Sequence, residues 1–208
     1  CAGAIITGLP WVAVNPHYEN VLFVHDQSTF YTSAQSQRIT IRRSDGLEHG
    51  IQQSGLTLQA GRSYDLRLVL KGEGQAVTVA LAEQRWAIPS VGAEWATYTH
   101  RFDVTEEQDD AALSILVQEE GSLWIGCASL MPSDHLNGHR ADVVAALKEW
   151  TPTFMRWPGG NFASGYHWQK GIGDQDQRPS YLDPAWNLWE PNDVGTDEFM
   201  DLCRMVGS

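Results

Sequence analysis

The sequence predicts a β-sandwich followed by an α/β segment, and three observations carry that expectation. Up to about residue 131, apolar residues recur with a period of two in short runs, the spacing of half-buried strands. Turn-forming residues punctuate those runs at Gly72–Gly74, Pro89–Gly92 and Glu119–Gly121. After Met131-Pro132 the apolar spacing lengthens to that of a helix.

Residues 63–71 place Tyr64, Leu66, Leu68 and Leu70 on one face and Asp65, Arg67 and Lys71 on the other. Residues 75–83 set Val77, Val79 and Leu81 on a common face, and the alternation continues through 95–102, 111–117 and 121–130. Many short strands with no helix between them predict a sandwich or jelly roll over 1–131. The acidic stretch Asp103–Asp110 reads as a solvated loop. Beyond Pro132, Val143, Val144, Leu147 and Trp150 form the inner stripe of a helix over 139–150. Thr153–Trp157 is a short β-prone run stopped by Pro158-Gly159-Gly160, and 162–195 reads as a long loop rich in Trp, Gly, Asp and Pro. Thr196 is placed to cap a last helix, with Asp197 and Glu198 against its positive end, Phe199, Leu202 and Val206 inward, and Gly207 as the stop. One helix–strand–loop–helix unit cannot bury both faces of its strand, so the region 132–208 reads as unfinished at Ser208.

Composition narrows the function. With 208 residues, 42% of them hydrophobic, the chain can build one large core or two small ones. A formal net charge of −12 repels nucleic acid and anionic membranes but costs a neutral glycan nothing. No run approaches the roughly 20 apolar residues of a membrane span. Cys1, Cys127 and Cys203 are odd in number and far apart, which implies neither a disulfide framework nor a zinc knuckle. Cys1 at the head suits either a lipid-modified terminus or the boundary of a fragment. A homo-oligomer is open, and an extracellular or periplasmic setting is preferred to a cytoplasmic one.

The segment Arg156-Trp157-Pro158-Gly159-Gly160-Asn161 carries most of the chemical signal. Two glycines let the chain turn and approach a ligand, and the Asn161 amide offers both donor and acceptor to a sugar hydroxyl. Taken alone, the hexapeptide reads equally as a plain turn in which Asn serves its turn propensity. The loop that follows holds Phe162, Tyr166, Trp168, Tyr181, Trp186 and Trp189. Such rings stack on sugars or pack a loop onto its scaffold, and Trp168 is the ring expected to touch sugar. Elsewhere the signals are thin. His135 and His139 have helical metal spacing without a third ligand, and Asp174 with Asp176 lacks a calcium-loop pattern. Gly171-x-Gly173 lacks the remainder of a nucleotide fingerprint, and no G-x-S-x-G occurs. No cofactor and no metal is expected.

These motifs together resemble the first barrel unit of family 51 glycoside hydrolases of the α-L-arabinofuranosidase type. The resemblance runs through Arg156–Asn161, Ser164–Trp168, Gly171–Asp174, Arg178-Pro179, Leu182–Trp186, Glu190–Asn192 and Thr196–Phe199. Lys170 and Val194 depart from the family pattern. Within residues 1–131 the runs His49–Leu70, Trp95–Phe102 and Gly121–Pro132 are similar, less sharply, to a carbohydrate-binding-like jelly roll found in some members, with Gly126 where Asp is common; such a domain either binds glycan or braces the barrel, and bracing is the preferred expectation. The resemblance implies the start of a (β/α)8 barrel over 132–208 and removal of arabinofuranosyl groups from plant glycans with retention of configuration. It implies a catalytic Glu pair in later strands outside this chain, supplied with the remainder of the barrel. Within the chain it implies Asn161, Gly160 and Trp168 as substrate-binding residues and Arg156 as a support for the site floor. An endo-β-glucanase or xylanase of the same family, or a binding module without catalysis, are the other expectations.

Overall fold

A computed structural model describes residues 5–17 and 19–208, so Cys1 and the lipid-anchor expectation lie outside the described residues. The chain divides into two compact units, Cys1–Ser133 and Asp134–Ser208.

The first unit is a sandwich of two five-stranded antiparallel sheets. One sheet runs β1 (Val12–Val14), β4 (His49–Leu58), β9 (Gln108–Val117), β6 (Val77–Leu81) and β7 (Gln84–Ile88) in spatial order. The other runs β2 (Val21–Asp26), β3 (Ser36–Ile41), β10 (Gly121–Pro132), β5 (Ser63–Gly72) and β8 (Ala96–Asp103). Their inner faces supply one core that includes Phe23, Ile39, Leu66, Leu68, Leu70, Val79, Leu81, Phe102, Ile115 and Leu123. The alternation along 63–71 and 75–83 is therefore the pleat of two strands with one face in this core. Close sheet contact also dictates Gly50, where a Cβ would lie 2.0 Å from the Ile115 carbonyl oxygen. The acidic stretch is not all loop: Asp103 ends β8, and Gln108–Asp110 open β9. Ladder pairing there overrides the local preference of acidic residues for solvent turns. Strand β10 changes register between Ile125 and Cys127, so Gly126 sits at a bulge.

The second unit contains α1 (Ala141–Trp150), the one-turn α2 (Phe162–Gly165), a hairpin of β11 (Tyr181–Asp183) and β12 (Leu188–Glu190), and α3 (Thr196–Val206). Helix α1 buries Val144, whereas Val143 is 45% and Trp150 82% exposed, so only part of the expected inner stripe is covered. The predicted strand Thr153–Trp157 is not formed. A strand exists only through pairing, and this run pairs with no other segment among the described residues. The expected loop 162–195 is instead broken by α2, two short 3₁₀ turns and the β11–β12 hairpin. Gly195, not Thr196, is the N-cap of α3, and Gly207 ends that helix at φ 81° as expected.

Candidate active-site segment

The segment that precedes α2 is held by its aromatic ring. Trp157 meets Tyr166 edge-on at 4.7 Å between centroids and stacks on Phe199 at 5.7 Å. Phe162 lies 5.1 Å from Tyr166, which extends the cluster from α2 to α3. Trp157 thereby anchors the turn that follows. Gly160 adopts φ 58°, a conformation that costs a side-chain-bearing residue energy, and Asn161 opens α2 in helical geometry. The Gly160 and Asn161 carbonyls accept from the N–H groups of Ala163 and Ser164 at 3.3 and 3.2 Å. The Asn161 side chain makes no capping bond and is exposed, as is Arg156. Trp168 lies on a separate 3₁₀ turn, Trp168–Gly171, and is 54% exposed. The structure thus brings Gly160 and Asn161 together on one turn with Arg156 just before it. Trp168 stands on a different element.

A polar core beneath this surface was not read from the sequence. Arg178 is buried and forks onto Glu198, with both guanidinium nitrogens 2.8 Å from the two carboxylate oxygens. The same guanidinium donates to the Gly173 and Asn192 carbonyls at 2.8 and 3.0 Å. Glu198 also accepts from the Gly195 N–H at 2.8 Å, which closes the N-terminus of α3. Burial alone would push the Glu198 carboxyl up, but the bonds from Arg178 and Gly195 together hold it below the ordinary glutamate range. Asn192 is fully buried at φ 63°; its side-chain amide donates to the Pro179 carbonyl at 2.6 Å, and its backbone N–H donates to Glu190 Oε1 at 2.8 Å. The signal available in the sequence was the acidic residue at the third position of a helix; its arginine partner, 20 residues upstream, had none. Gly195 and Gly171 touch backbone to backbone, since a Cβ on Gly195 would lie 1.7 Å from the Gly171 carbonyl oxygen. Burial raises the Tyr166 and Tyr181 hydroxyls above the usual phenol range, with Glu190 adding to both.

Two weaker sites resolve into local structure. His135 Nδ1 accepts the Gly138 N–H at 3.0 Å, and His139 donates through Nε2 to the Glu198 carbonyl at 3.1 Å. Asp174 caps a 3₁₀ turn by accepting from the Asp176 N–H at 3.0 Å.

Residues 146–208 match the family described as the alpha-L-arabinofuranosidase 1 domain. This segment is similar to that family. The intracellular exo-alpha-L-arabinofuranosidase of Bacteroides ovatus is 44% identical over 88 residues, 42% of this chain and 17% of that protein. The crystal structure of the Thermotoga maritima α-L-arabinofuranosidase–arabinose complex is 52% identical over 34% of this chain and 15% of its own, with a TM-score of 0.34. TmCBM61 in complex with β-1,4-galactotriose covers 60% of this chain and 90% of its own at 15% identity and a TM-score of 0.47. The chain spans about a sixth of the length of the arabinofuranosidases it matches. The matched segment 146–208 contains Arg156, Gly160, Asn161 and Trp168 together with the Arg178–Glu198 clamp.

Proposed function

We propose that this chain is part of a retaining glycoside hydrolase that removes α-L-arabinofuranosyl groups from plant polysaccharides or oligosaccharides. The observation that carries the reading is the arabinofuranosidase-type segment 146–208, in which the Gly160–Asn161 turn is anchored by Trp157 and leaves the Asn161 amide exposed. In this reading 132–208 open a (β/α)8 barrel, and Thr153–Trp157 becomes its first strand once a neighbouring strand supplies hydrogen bonds. Asn161 then lies at the strand's C-terminal end, where barrel enzymes gather their ligand contacts. Its amide binds a sugar hydroxyl, Gly160 admits the ligand close to the backbone, Trp168 stacks on a sugar ring, and Arg156 orients neighbouring carboxylates at the site floor. The Glu pair, one protonated and one ionised at about 5–5.5 Å separation, comes from later strands beyond this chain. The shares of 15–17% of the relatives' lengths support that placement.

The test is hydrolysis of an aryl α-L-arabinofuranoside by the protein at its full natural length, with carboxymethylcellulose as the competing substrate. Release from the arabinofuranoside is expected, and activity on carboxymethylcellulose alone would refute the assignment. Asn161→Ala in that protein should lower kcat/KM about 30- to 150-fold, the loss of roughly 2–3 kcal/mol of transition-state binding. Unchanged kinetics would remove Asn161 from the site.

A further inference from the structure

The sandwich carries a feature that the arabinofuranosidase reading does not use. Trp124 lies on β10, the middle strand of its sheet, and points away from the core because Leu123 and Ile125 on either side point into it. Its ring is half-buried. Directly across from it stand Arg38 on β3 and Lys71 on β5, so the indole lies between two cations.

The ring is fixed from below. Trp124 donates through Nε1 to Asp26 Oδ2 at 2.9 Å, and Arg38 Nη1 donates to the same oxygen at 3.0 Å. Asp26 Oδ1 accepts the Ser28 N–H at 2.8 Å, the Ser28 hydroxyl at 2.6 Å and the Thr29 N–H at 3.2 Å. Asp26 is only 7% exposed, and a carboxylate held by five donors cannot turn. It sets both the plane of the indole and the direction of the guanidinium, the kind of support that preorganises a binding residue. Beside Trp124, at the β10 bulge, Gly126 lets Tyr31 and Trp95 settle onto the strand: a Cβ there would come within 2.5 Å of the Tyr31 Cβ and 3.0 Å of the Trp95 ring. Those two rings are 5.5 Å apart.

We propose that this face binds an acidic saccharide, with a sugar ring on Trp124 and a uronate carboxylate between Arg38 and Lys71. Charge decides the class of ligand. The chain carries a formal −12, yet the outer face of this sheet sets Arg38, Arg67, Lys71 and Arg101 against Asp26, already committed to Arg38 and Trp124, and Asp65, committed to Arg101. Lys71 forms no ion pair among the described residues. A densely charged polyanion would be repelled by the rest of the molecule, whereas an occasional carboxylate on a glycan feels mainly the nearby cations within a Debye length. Guanidinium and carboxylate match in geometry as well as charge. Choosing a saccharide over another carboxylate ligand rests on the function proposed above.

The experiment is calorimetric titration of the 208-residue chain with a xylo-oligosaccharide bearing a glucuronic acid branch and with its unbranched counterpart. Saturable binding of the branched form is expected, about tenfold or more tighter than the unbranched form and weaker at high salt. Lys71→Ala should lose about tenfold in affinity with an unchanged melting temperature, an effect of one charged contact. Trp124→Phe, which keeps a ring but drops the bond to Asp26, should also bind more weakly. Equal affinity for both oligosaccharides, no binding by the folded chain, unaltered binding by Lys71→Ala, or a preference for an oligonucleotide would each overturn the proposal. Arabinofuranosidase activity is scored separately on an aryl glycoside without a uronate, so each claim can fail without the other.

Discussion

At the scale of single residues, the second unit depends on Arg178 and Glu198. Their side chains are 2% and 14% exposed, so removal of one leaves the other charged and buried. Arg178→Ala should therefore destabilise the unit by about 3–5 kcal/mol, read from urea denaturation. The pH dependence has a defined sign. The carboxyl of Glu198 is held below its ordinary range when folded, so its contribution is fully present above the ordinary glutamate range. That contribution disappears as pH falls through the lower, folded-state value. Glu198→Gln should flatten the acid limb of the stability curve, and a variant whose acid limb matches the parent would refute the linkage. Tyr166 and Tyr181 are shifted upward chiefly by burial, so ultraviolet titration should find two phenols that ionise above the usual phenol range.

At the scale of elements, α3 starts where two backbones touch. Any side chain at Gly195 meets the Gly171 carbonyl, and backbone cannot yield as a side-chain tip can. Gly195→Ala should cost at least about 1–3 kcal/mol, the usual range for overpacking, and should lower helical circular dichroism if the start of α3 is displaced. In the sandwich, Leu68 is fully buried at the centre of β5. Leu68→Ala should cost about 2–5 kcal/mol in chemical denaturation, the range set by lost burial and the cavity left behind. Strand β5 was legible because its polar residues alternate cleanly with leucines. Strands β1 to β4 and β7 were not individually marked, since short edge and half-buried strands share the residue mix of turns.

At the scale of the whole chain, apolar exposure is uneven. In the second unit Trp150, Phe154, Trp186, Leu188 and Trp189 are 62–82% exposed. Large exposed apolar side chains suit surface that a partner covers, and the proposed barrel would be that partner. N-bromosuccinimide should oxidise Trp150, Trp186 and Trp189 readily in the 208-residue chain and slowly in the full-length protein. Equal rates in both would count against a covering barrel. No helix is long and apolar enough to cross a membrane among the described residues, and no group of three or more His, Cys, Asp and Glu there could hold a metal ion.

The sequence by itself determined the sandwich strands with clear alternation, the helices near 141–150 and 196–206, and the likeness of residues 146–208 to α-L-arabinofuranosidases. Those features rest on local periodicity, capping and motif spacing, which the chain writes into neighbouring residues. Tertiary structure alone decided that Thr153–Trp157 stays unpaired in this chain, that Gly195 rather than Thr196 caps α3, and that Arg178 finds Glu198. It also decided that Asp26 would lock Trp124 from 98 residues away. Pairing, close backbone contact and buried ion pairs all join residues distant in sequence, so no window along the chain contains both partners.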